Sequence, residues 1–140
     1  MQNNQEIAKE ILYIISSNKC EELTDLLNDW TKGLFVILRV IEVSEKEVTA
    51  GDIASALKVS TARVAVALNT LEAKKWVKKH KSYLDARKTI VELTDLGKEV
   101  LEAKKLKVVN MVSNFLDKLT IEETNQLLHI IKKTMEEQQC

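Results

Sequence analysis

With 140 residues, 45% of them hydrophobic and 30% charged, the chain can bury one real core and reads as a single soluble domain. Its 21 basic and 21 acidic residues cancel. The longest apolar run, Leu34 to Leu38, excludes a membrane span, the polar opening MQNNQEIAKE excludes a signal peptide, and two cysteines (Cys20 and Cys140) exclude a disulfide framework or four-ligand metal site, so a reduced cytoplasmic setting is expected.

Proline is absent and glycine stands only at Gly33, Gly51 and Gly97, which favours helices. Ile7, Ile11, Ile14 and Ile15 recur at three and four residues, the spacing of one apolar helix face. Ser16 to Asn18 interrupts the pattern. It resumes through Leu23, Leu26, Leu27, Trp30, Leu34, Ile37, Leu38 and Ile41 as one or two further helices, and stops at the charged turn Ser44 to Glu47. Thr49 caps a short helix, with Asp52 three residues on, and Ile53, Ala54 and Leu57 face inward. Ser60 caps the next helix, with Val64, Leu68 and Leu71 as its buried stripe and Thr61, Arg63, Ala67 and Thr70 on other faces. Two short helices joined by Lys58-Val59-Ser60 make a helix-turn-helix.

Beyond Lys75 the character changes. Trp76 to His80 and Thr89 to Leu93 predict two strands, and the charged stretch Lys81 to Lys88 predicts a long hairpin tip. Thr94 caps a long helix whose stripe runs through Leu101, Val108, Met111, Val112, Phe115 and Leu119. Thr120 with Glu123 forms a capping box for a last helix carrying Leu127, Leu128, Ile131 and Met135. The predicted fold is mainly α with a small β-hairpin wing: a winged helix-turn-helix with further helices at both ends.

The balanced charge is segregated. Residues 58–88 hold nine Lys or Arg and two acids, while residues 1–57 hold five basic and ten acidic and residues 89–140 hold seven and nine. A local polyanion-binding face and a solvated lysine-rich surface both account for this. In the first reading, the helix beginning at Ser60 enters a major groove. Arg63 reads guanine there, and Ser60 and Thr61 bind phosphate at the positive helix end. The plain alternatives are a cap for Ser60 and a surface arginine for Arg63. Arg87 is expected to enter an A·T-rich minor groove, oriented by Asp85, with Lys79, Lys81 and Lys88 on phosphates. The plain alternative is an exposed ion pair.

The wing carries a D-x-R, Asp85-Ala86-Arg87, and is followed by TIVELTDLGKEVL from Thr89 to Leu101, with Leu93-Thr94-Asp95-Leu96-Gly97 entering a long helix. On these motifs the chain from Thr49 to Leu101 resembles the MarR (multiple antibiotic resistance regulator) family of winged-helix repressors. Asp52-Ile53-Ala54 and Leu71-Glu72 match as well. Where the family usually has glycine after the second helix of the motif, Lys75 stands here. The resemblance implies one MarR-like domain over residues 1–140, with a winged-helix part over 31–93 and dimerisation helices over 1–30 and 94–140. It implies a homodimeric regulator on pseudo-palindromic double-stranded DNA, usually a repressor released by a small lipophilic or phenolic effector.

Tyr13, Trp30 and Phe35 are candidate pocket residues, or plain packing. Cys20 raises the alternative of a thiol-based redox switch, or is an ordinary cysteine. A winged helix used only for protein contact is the other rival. His80 and His129 are too isolated for a metal site. No nucleophile-base pair or phosphate loop is visible, so neither an enzyme nor a cofactor is expected.

Overall fold

In the computed structural model, which describes residues 3–17 and 21–136, seven helices and one hairpin follow in the order α1 (Asn4–Ser16), α2 (Glu21–Lys32), α3 (Leu34–Val43), α4 (Ala50–Leu57), α5 (Thr61–Ala73), β1 (Val77–Lys81), β2 (Thr89–Leu93), α6 (Asp95–Leu116) and α7 (Ile121–Glu136). Cys20 and Cys140 lie outside the described residues. Among those residues no helix is long and apolar enough to cross a membrane.

Local chemistry sets most boundaries. The Thr49 hydroxyl accepts the Asp52 amide while the Asp52 carboxylate accepts the Thr49 amide, a reciprocal cap for α4. Ser60 caps α5 and Thr94 caps α6 in the same sense, through the Arg63 and Gly97 amides. Thr120 and Glu123 pair reciprocally before α7. Gly33 divides the long apolar stretch into α2 and α3: a Cβ there would lie 2.7 Å from the Asp29 carbonyl oxygen, so only glycine allows so tight a turn.

Both helices of the helix-turn-helix end on a lysine in left-handed backbone. Lys58 has φ 55° and Lys75 has φ 62°. In each case the next amide returns to a carbonyl of the last turn, Val59 to Ala54 at 3.1 Å and Trp76 to Leu71 at 3.0 Å. This is the Schellman ending that glycine usually supplies. It also moves β1 one residue later than the sequence suggested, because the Trp76 amide is already committed to Leu71. A lysine at positive φ carries steric strain of about 1 kcal/mol, partly offset by the greater freedom glycine has when unfolded. Lys75→Gly is therefore expected to raise stability by about 0.5–1 kcal/mol, seen as a higher urea midpoint with an unchanged slope.

The core gathers around α3. Leu38, Ile53, Leu71 and Leu101 are fully enclosed, joined by Ile37, Ile41, Val48, Val64, Leu68, Val77, Val91 and Leu93. The hairpin pairs Val77 with Leu93 and Lys81 with Thr89. Alternation turns Val77, Val91 and Leu93 inward and Lys78, His80 and Glu92 to the other face. The Val91 amide also donates to the Val48 carbonyl at 2.8 Å, tying the α3–α4 connection to β2.

The terminal helices stand apart from this core. No residue of α1 is buried, and none of α7 through residue 135. Ile11, Leu12, Ile14 and Ile15 on α1, Leu106, Val109 and Phe115 on α6, and Leu128, Ile130, Ile131 and Met135 on α7 are all exposed. The predicted α6 stripe is thus split: Leu101 and Val108 enter the core, Met111 and Val112 are half-buried, and Phe115 faces out. Leu119 falls beyond the end of the helix.

Candidate nucleic-acid interface

Helix α5 buries Val64, Leu68 and Leu71, as the spacing predicted. Its outward face follows at 3.6 residues per turn and centres on Ala62, Val66 and Asn69, with Thr61, Arg63 and Thr70 at its edges. Ala67, expected away from the core, is instead half-buried against it. Val66 is 68% exposed, an apolar side chain the sequence reading did not single out. The available signal was the small, uncharged character of that face. Ser60 Oγ accepts the Arg63 amide at 3.2 Å, which leaves its hydroxyl proton free to donate.

The wing stands beside this helix and is joined to it. Lys79 Nζ donates to Asn69 Oδ1 at 3.0 Å and lies 3.8 Å from Glu72 Oε1. Its charge therefore braces β1 against α5 rather than standing free. Lys81 reaches Thr89 Oγ1 at 3.5 Å and remains exposed. At the tip, Asp85 Oδ1 accepts from the Arg87 amide at 3.0 Å and from Arg87 Nε at 3.3 Å. The Arg87 side chain is otherwise 92% exposed, and Lys88 is exposed beside it. Asp85 and Arg87 are thus brought together as the D-x-R spacing suggested.

Below the tip lies a polar network that sequence reading missed. Glu47, on the α3–α4 connection, accepts from the Ser82 hydroxyl at 2.5 Å and from the Tyr83 amide at 3.2 Å. Ser82 Oγ in turn accepts the Leu84 and Asp85 amides, each at 3.1 Å.

His80 sits at the junction of wing and sheet. Its Nδ1 is 2.8 Å from the Lys81 carbonyl oxygen, an acceptor, so this nitrogen carries the proton. Its Nε2 is 3.1 Å from Glu92 Oε1, and its ring lies against Tyr83 with centroids 5.3 Å apart. Both nitrogens thus face acceptors. The Lys81 carbonyl first, and then the Glu92 carboxylate, raise the pKa above the ordinary 6.5. The imidazolium contributes stability that is fully present below pH 6.5 and is lost as pH rises through the folded-state pKa. An NMR titration is expected to place His80 above 6.5 in the wild type, with Glu92→Gln moving it back down. A midpoint that ignores Glu92 would contradict the assignment.

Tyr13, Trp30 and Phe35 lie in different surroundings. Tyr13 is 78% exposed on α1. Trp30 lies under Arg39, whose Cζ is 4.4 Å from the ring centroid, and Phe35 packs on Trp76 at 5.7 Å. Trp30 and Phe35 both border the core. A cleft of about 410 Å³ opens elsewhere, between the α2–α3 turn at Gly33 and Leu34 and the helix-turn-helix at Leu57, Val59 and Arg63.

Residues 35–88 match the model of the MarR family. No curated protein matches the chain. Among solved structures, the chain is similar to MepR of Staphylococcus aureus, a transcription regulator of the multidrug efflux pump MepA, at 22% identity and TM-score 0.72 over 94% of this chain and 98% of that one. It is similar also to a point variant of S. aureus MepR bound to an oligodeoxyribonucleotide, at 23% identity and TM-score 0.62 over 99% of this chain and all of that one. A third is S. aureus MepR bound to ethidium bromide, at 23% identity and TM-score 0.64 over 94% of this chain and 96% of that one. The family model thus covers the stretch from α3 through the helix-turn-helix to the wing loop, and the winged-helix fold is shared with these structures along nearly the whole chain.

Proposed function

We propose that the protein is a cytoplasmic, homodimeric, sequence-specific DNA-binding regulator that represses from a pseudo-palindromic operator and is released by a small lipophilic or phenolic effector. The observation that carries this reading is the joining of two DNA-sized elements into one body. The open face of α5 and the basic wing stand side by side, braced by Lys79 on Asn69. Arg63 would read guanine and Val66 a thymine methyl in the major groove. The free Ser60 hydroxyl and Thr61 would meet phosphate at the helix N-terminus. Arg87, aimed by Asp85, would enter the minor groove, with Lys81 and Lys88 on the backbone.

The exposed apolar faces of α1, α6 and α7 support a second copy as their cover. We read residues 1–30 and 94–140 as the dimerisation part and 31–93 as the DNA-binding part of one domain. Two copies of α5 would then meet successive major-groove faces about 34 Å apart. The cleft at Arg63 supports effector control, because a ligand there would share a wall with the base-reading side chain. That S. aureus MepR has been seen with an oligodeoxyribonucleotide and with ethidium bromide agrees with both halves of the reading.

Footprinting on the DNA upstream of the protein's own gene tests it. Two protected patches centred about 10 base pairs apart are expected. Uniform weak protection of any DNA would favour a winged helix used for protein contact.

A further inference from the structure

Among the described residues Ser82 is the buried polar one, 6% exposed, within a loop whose next two residues are about 90% exposed. A buried hydroxyl persists where its partners are supplied by the fold. Here one comes from a residue 35 positions away and the others from the loop itself: Ser82 Oγ donates to Glu47 Oε2 and accepts the amides of Leu84 and Asp85. The other Glu47 oxygen accepts the Tyr83 amide. The Ser82 amide donates to the Lys88 carbonyl at 2.9 Å, and the Lys88 amide to the Asp85 carbonyl at 3.0 Å, closing the loop on itself. Asp85, placed by this turn, holds Arg87. Glu47 has a fixed base, since the neighbouring Val48 carbonyl is tied to the Val91 amide. One carboxylate therefore organises the turn that ends in the exposed guanidinium.

We infer that Glu47 is a positioning residue for DNA binding, latching the wing loop so that Asp85 presents Arg87 in one direction. The inference rests on the DNA-binding reading above. Both Glu47 oxygens are occupied by the loop, so it acts through Arg87. Removing the carboxylate leaves the Ser82 hydroxyl and the Tyr83 amide without their acceptors, and water then competes for the turn.

The test uses the full chain as Glu47→Ala, Arg87→Ala and the double variant. Affinity is read by fluorescence anisotropy on a labelled duplex from upstream of the gene, and amide exchange at Leu84 and Asp85 by NMR. Glu47→Ala is expected to lose about tenfold in affinity, as Arg87→Ala does, and the double variant to bind no more weakly than Arg87→Ala. Exchange protection at Leu84 and Asp85 should be lost in Glu47→Ala. Glu47→Gln, which keeps one acceptor oxygen for Ser82, should recover part of both. Non-additivity is the readout that a merely stabilising residue would not give. Retained protection in Glu47→Ala, or losses that multiply to about a hundredfold in the double variant, would overturn the inference. If Arg87→Ala binds like wild type while Glu47→Ala frees the amides, the wing is not a DNA contact and only the latch stands.

Discussion

Gly97→Ala is expected to cost about 3 kcal/mol or more, among the largest losses available to a single methyl group in this chain. The added Cβ would lie 2.0 Å from the Trp76 carbonyl oxygen and 2.9 Å from its carbon. Both are backbone atoms, so no rotamer change relieves the clash. The same carbonyl accepts the Thr94 amide at 3.0 Å, and the Thr94 hydroxyl donates to the Lys75 carbonyl at 2.6 Å while capping α6 through the Gly97 amide. Moving α6 away therefore breaks the cap together with the join to the end of α5. That join carries the orientation of α6 to the helix-turn-helix and wing, so DNA affinity should fall along with the urea midpoint. A loss below about 1 kcal/mol would mean that the junction yields more easily than its geometry indicates.

Ile131→Lys is expected to split the proposed dimer. The α7 face is apolar and uncovered in the single chain, and Ile131 lies on it with Leu128 and Met135. Two-fold symmetry places any substitution there twice. An unpaired buried ammonium costs several kcal/mol, so association should weaken by about a thousandfold. Light scattering should then give the monomer mass of 15.9 kDa where the wild type gives twice that. Since no α7 residue through 135 is buried in the single chain, the winged-helix core should stay folded and cooperative while operator binding collapses. A variant that keeps the double mass would remove α7 from the interface.

Short-range chemistry was readable in the sequence because each device lies within three or four residues. The caps at Thr49, Ser60, Thr94 and Thr120, the buried stripe of α5 and the Asp85–Arg87 pair all stand as their spacing indicated. What escaped depends on distant segments. Glu47 appeared only as part of a charged turn, since nothing local ties it to Ser82. The Lys79–Asn69 contact joins residues ten positions apart on different elements, so no local pattern announced it. The contacts of Trp30 with Arg39 and of Phe35 with Trp76 likewise join residues too far apart in sequence to be read from spacing. Lys75 adopts the left-handed turn despite its side chain, because the Trp76 and Thr94 hydrogen bonds fix the backbone there.

The most direct test of DNA reading is fluorescence anisotropy of the purified chain on the duplex upstream of its own gene, across a salt series, beside Arg63→Ala and Arg87→Ala. Tight binding with a steep salt slope is predicted, absent on unrelated DNA and weakened by about 1–3 kcal/mol in each variant. Weak binding that ignores both sequence and the two arginines would contradict the account and leave the basic wing as a protein-contact surface.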